Sequence, residues 1–204
     1  MRVLLFALTG FGNKVLDALL EKSCEVKYIV TRQEKGPFPY YEEENLGVYA
    51  RKKNITIYEN FTWDEIEKVI KDFSPDLLLV STFHRIIPDN ILSAIPLCIN
   101  IHPSLLPKYK GPTPIDWVLF DKEKETGATA HFITKDVDCG DMLIQKRVPI
   151  EKNDDKSTLI KKLAILSANI AKELIDQINT NSLNPTKQNM NEATYYPNFS
   201  KRNN

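Results

Sequence analysis

Apolar runs of strand length recur at Val3 to Ala7, Val26 to Val30, Ile55 to Tyr58, Leu77 to Val80 and Cys98 to Ile101, and the stretches between them carry helical spacing. Runs that are apolar on both faces suit strands covered by helices on each side. The alternation therefore predicts an α/β chain with a mostly parallel, Rossmann-like sheet flanked by helices and joined by right-handed crossovers. Helices are expected at Phe11 to Glu21, Glu42 to Lys53 and Trp63 to Phe73; Thr62 precedes the last of these and Glu65 stands three residues on, a capping-box pattern. After Gly111 the organisation changes. Ile115 to Phe120 reads as a short helix, and Ala128 to Thr134 and Met142 to Ile150 read as two strands whose order predicts a C-terminal antiparallel edge. From Ser157 to Ile178, the spacing of Leu159, Ile160, Leu163, Leu166, Ile170, Leu174 and Ile178 marks a long amphipathic helix that packs on the body.

At 204 residues the chain suits one domain, expected over 1–180, with a polar extension over 181–204 that is partly ordered or flexible. The aromatic residues Tyr195, Tyr196 and Phe199 are more than a solvated tail requires. Basic and acidic residues balance at 27 each, so no overall field draws the protein toward nucleic acid or an anionic membrane. The amino-terminal apolar run is too short to span a bilayer and reads as a first core strand rather than a leader. Three widely spaced cysteines, Cys24, Cys98 and Cys139, describe neither a disulfide framework nor a zinc site, and point to a cytoplasmic location.

Chemistry concentrates in two segments. In C-I-N-I-H-P-S-L-L-P-K-Y-K-G, Cys98 to Gly111, strand alternation puts Asn100 and His102 on one face while Ile99 and Ile101 turn into the core, and Pro103 and Pro107 end the strand. In G-A-T-A-H-F-I-T-K-D-V-D-C-G-D, Gly127 to Asp141, an alternating run leads into a tight acidic turn that offers Asp138 as the partner of His102. Together with the weaker R-I-I-P-D-N-I-L, Arg85 to Leu92, these segments resemble the formyltransferases that use N10-formyltetrahydrofolate. That family includes glycinamide ribonucleotide formyltransferase, methionyl-tRNA formyltransferase and the N-formyltransferases of nucleotide-linked amino sugars. The resemblance covers roughly the first 180 residues and runs closest to the sugar enzymes.

The resemblance implies a formyltransferase fold, N10-formyltetrahydrofolate as co-substrate, no metal, and Asn100, His102 and Asp138 as the catalytic set. Moving a formyl group to an amine requires donors for the growing oxyanion and a route for the amine proton. Asn100 offers an amide N–H and His102 an imidazolium N–H; Asp138 is expected to raise the pKa of His102, orient its ring and take the proton. For the folate, the resemblance points to the loop Phe83, His84, Arg85, Ile86 and Ile87 and to Lys135, Asp136, Val137 and Asp141 in the acidic turn. For the acceptor it points to Gly10, Phe11, Gly12, Ser104, Tyr109, Lys110, Gly111, Pro112 and Thr113, with Gly10 and Gly12 letting backbone N–H groups approach a phosphate. His131 is read as a structural histidine near the site, and a zinc held by His102, His131 and Asp138 is the weaker rival because the short histidine pair of helix-based zinc sites is missing.

The acceptor is argued by elimination. A-L-T-G-F-G-N-K is a poor match to the phosphate loop of the purine enzymes, whereas P-T-P-I-D-W-V-L-F and A-T-Y-Y-P look closer to the tRNA and sugar branches. The tRNA enzymes carry a further carboxy-terminal β-barrel, and no basic groove substitutes for one before Asn204. The expected acceptor is thus a UDP- or dTDP-linked deoxyamino sugar of the kind used in bacterial surface glycans, with Tyr109, Trp117, Tyr195 or Tyr196 stacking on the base. A homodimer is compatible with this reading. Methionyl-tRNA or glycinamide ribonucleotide as acceptor, and a folate-binding or formyl-folate-hydrolysing protein with no acceptor, are the alternatives.

Overall fold

The computed structural model describes residues 1–33 and 44–201. Its seven-stranded sheet has the order β3-β2-β1-β4-β5-β6-β7, formed by β1 (Val3–Ala7), β2 (Tyr28–Val30), β3 (Thr56–Tyr58), β4 (Leu77–Ser81), β5 (Leu97–His102), β6 (Glu125–Phe132) and β7 (Met142–Pro149). The first five strands pair in parallel, and β6 and β7 pair antiparallel. The helices are α1 (Phe11–Glu21), α2 (Leu46–Arg51), α3 (Trp63–Phe73), α4 (Asp89–Ser93), α5 (Pro114–Phe120) and α6 (Lys156–Asn179).

Alternation along the strands divides the core into two layers. Val3, Leu5, Leu77, Leu79, Ile99, Ile101, Ala128 and Ala130 pack with α1 and α6 on one face. Leu4, Phe6, Leu78 and Val80 pack with α3 and α4 on the other. Asn100 and His102 on β5, and Thr129 and His131 on β6, have the parity of this second face, so four polar residues collect there just beyond the apolar cover.

Local chemistry accounts for the helix ends. The Thr62 and Glu65 side chains cap α3 reciprocally, as the sequence pattern predicts. Within the described residues α2 begins at Leu46 rather than Glu42, because Asn45 accepts the Val48 N–H and so caps the helix; residues 42–43 of the expected helix lie outside the described residues. The five-residue α4 was not anticipated; it follows Pro88, whose ring sets its entry.

Residues 182–201 lie along the body, so their backbone groups find partners there. Thr186 and Met142 exchange both backbone bonds at 2.8 Å, Lys110 N donates to Thr194 O, and Tyr196 N donates to Lys110 O at 3.0 Å. Trp117 Nε1 donates to Pro197 O at 2.9 Å, and Tyr196 stacks on Tyr109. Among the described residues no helix is long and apolar enough to cross a membrane.

Candidate active site

The antiparallel ladder between β5 and β6 builds half of the site. Asn100 stands directly opposite His131, and His102 opposite Thr129, so the four side chains share a face by register alone. Asn100 Nδ2 lies 3.2 Å from His131 Nε2, while His131 Nδ1 lies 2.8 Å from the Phe132 carbonyl. The Phe132 carbonyl places a proton on His131 Nδ1, while Nε2 faces both Asn100 Nδ2 and, at 3.5 Å, Asp138 Oδ1.

Two loops build the other half. After His102 the chain turns through Pro103 and is braced from within: Ser104 Oγ donates to Lys108 O and Thr129 Oγ1 donates to Ser104 O, both at 2.8 Å. This returns Tyr109, in a left-handed conformation with φ 57°, so that its carbonyl accepts from His102 Nε2 at 2.9 Å. Two residues on, the Gly111 N–H donates to Asp138 Oδ2 at 3.0 Å. Gly111 has φ 109°, and a Cβ there would lie 2.2 Å from the Tyr196 carbonyl oxygen, so both conformation and space require glycine.

Asp138 is the hub. Its Oδ1 lies 3.3 Å from Asn100 Nδ2, 3.5 Å from His102 Nδ1 and 3.5 Å from His131 Nε2. Burial alone would raise its pKa, but its interactions with the His102 and His131 imidazoles and the Gly111 N–H outweigh burial and hold the carboxyl well below the usual carboxylate range. His102 moves the other way from expectation. Burial dominates and lowers its pKa, against the raising pull of Asp138 and the Tyr109 carbonyl, with His131 and Lys110 adding to the lowering. A carboxylate neighbour was expected to produce an imidazolium; with the ring 5% exposed, desolvation prevails and the resting histidine is neutral, with its proton on Nε2 and a basic Nδ1 toward Asp138.

The remaining residues anticipated from sequence separate into distinct groups. Among those expected at the folate, Phe83 packs on Phe6 and stacks with Phe61, and His84 sits against the Phe83 ring. The Arg85 guanidinium lies over Phe61 and Trp63 at 4.5 and 4.6 Å and donates to the Phe61 carbonyl, while Ile87 is core; both side chains hold the loop rather than face β5. Ile86 is 81% exposed. Lys135, Asp136 and Val137 are exposed on the acidic turn, which Cys139 N closes on Asp136 O, and the Asp141 carbonyl accepts from Phe132 N. The Phe83–Ile87 loop follows β4 at the Ile101 end of β5, whereas antiparallel β6 leaves the sheet beside Cys98 and its turn folds back to bring Asp138 to Asn100 and His102, at the end where open α/β sheets bind ligands.

The amino-terminal glycine turn does not serve as expected. Gly10 N already donates to Asn13 Oδ1 and Gly12 N to Leu8 O, so neither amide is presented to a phosphate. Gly12 instead admits Leu46, Phe11 belongs to the core beside Ile115 and Leu163, and Ser104 is a brace. The Lys110 ammonium, 3% exposed, contacts Cys139 Sγ at 3.2 Å and Met190 Sδ at 3.5 Å; Pro112 is exposed, and Thr113 Oγ1 accepts from Phe199 N. Tyr109, Trp117 and Tyr196 pack on one another, leaving Tyr195 as the exposed ring of the four proposed to stack on a base. Among the described residues no group of three His, Cys, Asp or Glu is arranged to hold a metal ion.

Sequence reasoning read His131 as a structural histidine that hydrogen-bonds near the site, and its position opposite Asn100 gives it Asn100 and Asp138 as neighbours. The signal was available as parity: Thr129, His131 and Ile133 alternate with Ala128, Ala130 and Phe132, but only the strand register shows which residue each meets. Gln188, which donates to the carbonyls of Asp138 and Gly140, carried no sequence signal.

Residues 1–176 match the family described as formyl transferase. The chain is 34% identical over 203 residues to a methionyl-tRNA formyltransferase of Caldanaerobacter subterraneus subsp. tengcongensis, an alignment covering 97% of this chain and 66% of that protein. It thus spans just under two thirds of the curated relative's length. Among solved structures, an N-formyltransferase from Helicobacter canadensis in complex with folinic acid and dTDP-3-aminofucose superposes with a TM-score of 0.77 at 22% identity, covering 97% of this chain and 71% of that one. A phosphoribosylglycinamide formyltransferase from Anaplasma phagocytophilum superposes with a TM-score of 0.75 at 20% identity, covering 97% and 99%. At these identities the two superpositions establish the shared fold.

Proposed function

This chain belongs to the formyl transferase family, and we propose that it moves the formyl group of N10-formyltetrahydrofolate to the amine of methionyl-tRNA, releasing tetrahydrofolate. The observation that carries formyl transfer is Asp138: a buried carboxylate, held ionised, within 3.5 Å of an amide N–H and two imidazoles. In the reaction the amine attacks the formyl carbon, negative charge grows on oxygen, the amine loses a proton and the folate nitrogen departs with one. Asp138 takes the amine proton, directly or through a water. Asn100 turns one of the N–H bonds it gives to Asp138 or His131 toward the oxyanion, a contribution on the order of 10²-fold in rate. Neutral His102 accepts proton density at Nδ1 as the carboxylate is neutralised, and its Nε2–H stays anchored on Tyr109 O. The folate lies between the Phe83–Ile87 loop and the acidic turn, where exposed Ile86 and Val137 offer apolar contact and the loop backbones offer edge hydrogen bonds.

Methionyl-tRNA is favoured because the similarity to the tRNA enzyme, 34% identity over 97% of the chain, exceeds the 22% and 20% identity to the sugar and purine enzymes. The sugar acceptor expected from sequence becomes the second reading. It keeps support from the equal counts of basic and acidic residues, which give little counterion release on an RNA. The experiment supplies N10-formyltetrahydrofolate with methionyl-tRNA, UDP- and dTDP-linked amino sugars or glycinamide ribonucleotide, and follows each acceptor by mass spectrometry. Formylated methionyl-tRNA is the expected product. A formylated sugar instead moves the assignment to the second reading, and free formate with no acceptor converted overturns transfer altogether.

A further inference from the structure

Asp138 adopts a left-handed conformation, φ 54°, one that aspartate enters more readily than most side chains but that still costs free energy relative to the right-handed regions. The Gly111 N–H fixes one carboxylate oxygen but not the peptide that carries it. The Cys139 N–H of that peptide closes on Asp136 O within the turn, and its carbonyl is held from the carboxy-terminal segment: Gln188 Nε2 donates to the Asp138 carbonyl at 2.9 Å and to the Gly140 carbonyl at 2.8 Å, spanning the turn. Gln188 is buried and clamped on both sides, by the Thr186–Met142 pair before it and by Thr194 and Tyr196 on Lys110 after it. Its Oε1 is buried with no hydrogen-bond partner among the described residues. A buried amide with an orphaned oxygen carries a desolvation penalty that methionine of similar length would avoid, so packing alone does not account for glutamine here. Its two N–H bonds do.

We propose that Gln188 is a positioning residue for formyl transfer: through its side-chain amide, the segment 186–196 fixes the turn that aims the Asp138 carboxylate at Asn100 and His102. This rests on the formyl-transfer reading, and so one readout must be independent of turnover. Gln188→Met keeps the shape and removes both donors and the orphaned oxygen; Gln188→Glu keeps the shape and sets a carboxylate against two carbonyls. Gln188→Met leaves the Asp138 and Gly140 carbonyls without that donor, so both variants are assayed at a temperature at which their unfolding curves show them fully folded; because catalytic geometry is sensitive to displacements of an ångström, both should lose at least about 10-fold in kcat there.

The second readout is the titration of His102 followed by NMR at its Cε1–H. The charged and titratable groups facing that ring are Asp138 on the turn, His131 on β6 and Lys110 on the returning loop. Of these Asp138 is the one whose peptide Gln188 holds, and its carboxylate raises the histidine, so a displaced Asp138 moves the His102 titration to lower pH. A fall in kcat together with that shift, in fully folded protein, establishes the positioning role. Parent-like turnover and titration in both variants overturn it, as does lost activity that only follows lost stability. A parent that formylates no acceptor removes the reaction assigned above, and the His102 titration then decides the positioning of Asp138 by itself.

Discussion

The two halves of the site are held by different means. Asn100, His102 and His131 project from paired strands, where backbone hydrogen bonds fix each Cα and register fixes each neighbour. Asp138 projects from a left-handed turn whose position depends on Gly111 and on a side chain from 50 residues away. The strand half resembles a wall and the turn half a hinged plate latched against it. Substitutions in the first should remove chemistry and leave geometry, whereas substitutions in the second should act through geometry.

The largest effect tests the hub shared by both halves. Asp138→Asn keeps the shape and removes the charge that accepts the amine proton, and turnover should fall by about 10³-fold or more with the fold retained, measured in single-turnover assays beside thermal unfolding. Turnover within 10-fold of the parent would remove Asp138 from the reaction. Next comes Asn100→Ala, expected to cost on the order of 10²-fold in kcat as one oxyanion donor is lost, with His102 still bonded to Tyr109 O. If unfolding falls in step with turnover, the wall is less independent than the ladder implies.

On the turn side the effect should appear first as stability. Gly111→Ala sets a methyl 2.2 Å from the Tyr196 carbonyl in a backbone conformation that disfavours side chains, so the carboxy-terminal segment or the Tyr109–Gly111 loop must shift. A loss of about 1–3 kcal/mol is expected, read in denaturant unfolding. The acid limb of the stability curve carries the same comparison. Asp138 has a depressed pKa when folded, so it contributes stability above the ordinary carboxylate value of about 3.9, and that stability is lost as pH falls below it. His102 is also depressed, but as a base: the unfolded chain binds its proton more readily, so stability falls as pH drops through about 6.5. Asp138→Asn should flatten the lower step and His102→Gln the upper one. Unchanged curves would mean that neither group is shifted by folding.

The same division explains how much could be read from sequence. Periodicity located six of the seven strands to within a residue or two, β6 starting three residues before the expected Ala128, and α1 and α3 at both ends, because each apolar run is a local consequence of burial on the two core faces. Parity placed Asn100 and His102 together, and the acidic turn supplied Asp138. What parity alone could not supply is the partner across a ladder, here Asn100 for His131, or a contact as distant as that of Gln188. The charge state of His102 was misread for a related reason: a carboxylate neighbour is legible in a motif, but complete burial of the ring is a property of the fold. Gly10 and Gly12 were read as phosphate ligands because a glycine turn at a helix start has that chemistry, yet Asn13 and Leu8 O occupy both amides.

The smallest expected effect concerns the rim between the halves. Ile86 is 81% exposed on the loop after β4, so it contributes little to the core, and Ile86→Ser should change stability by no more than about 0.5 kcal/mol. If that loop lines the folate site, the same substitution removes apolar contact from a flat heteroaromatic ring and raises the KM for N10-formyltetrahydrofolate about 3- to 10-fold, with kcat kept near the parent value. Arg85→Lys, which disturbs the stack on Phe61 and Trp63, should instead lower stability before it alters KM, because its guanidinium holds the loop from behind. A KM that responds to Arg85 and not to Ile86 would place the folate on the opposite side of the loop from the one assigned to it.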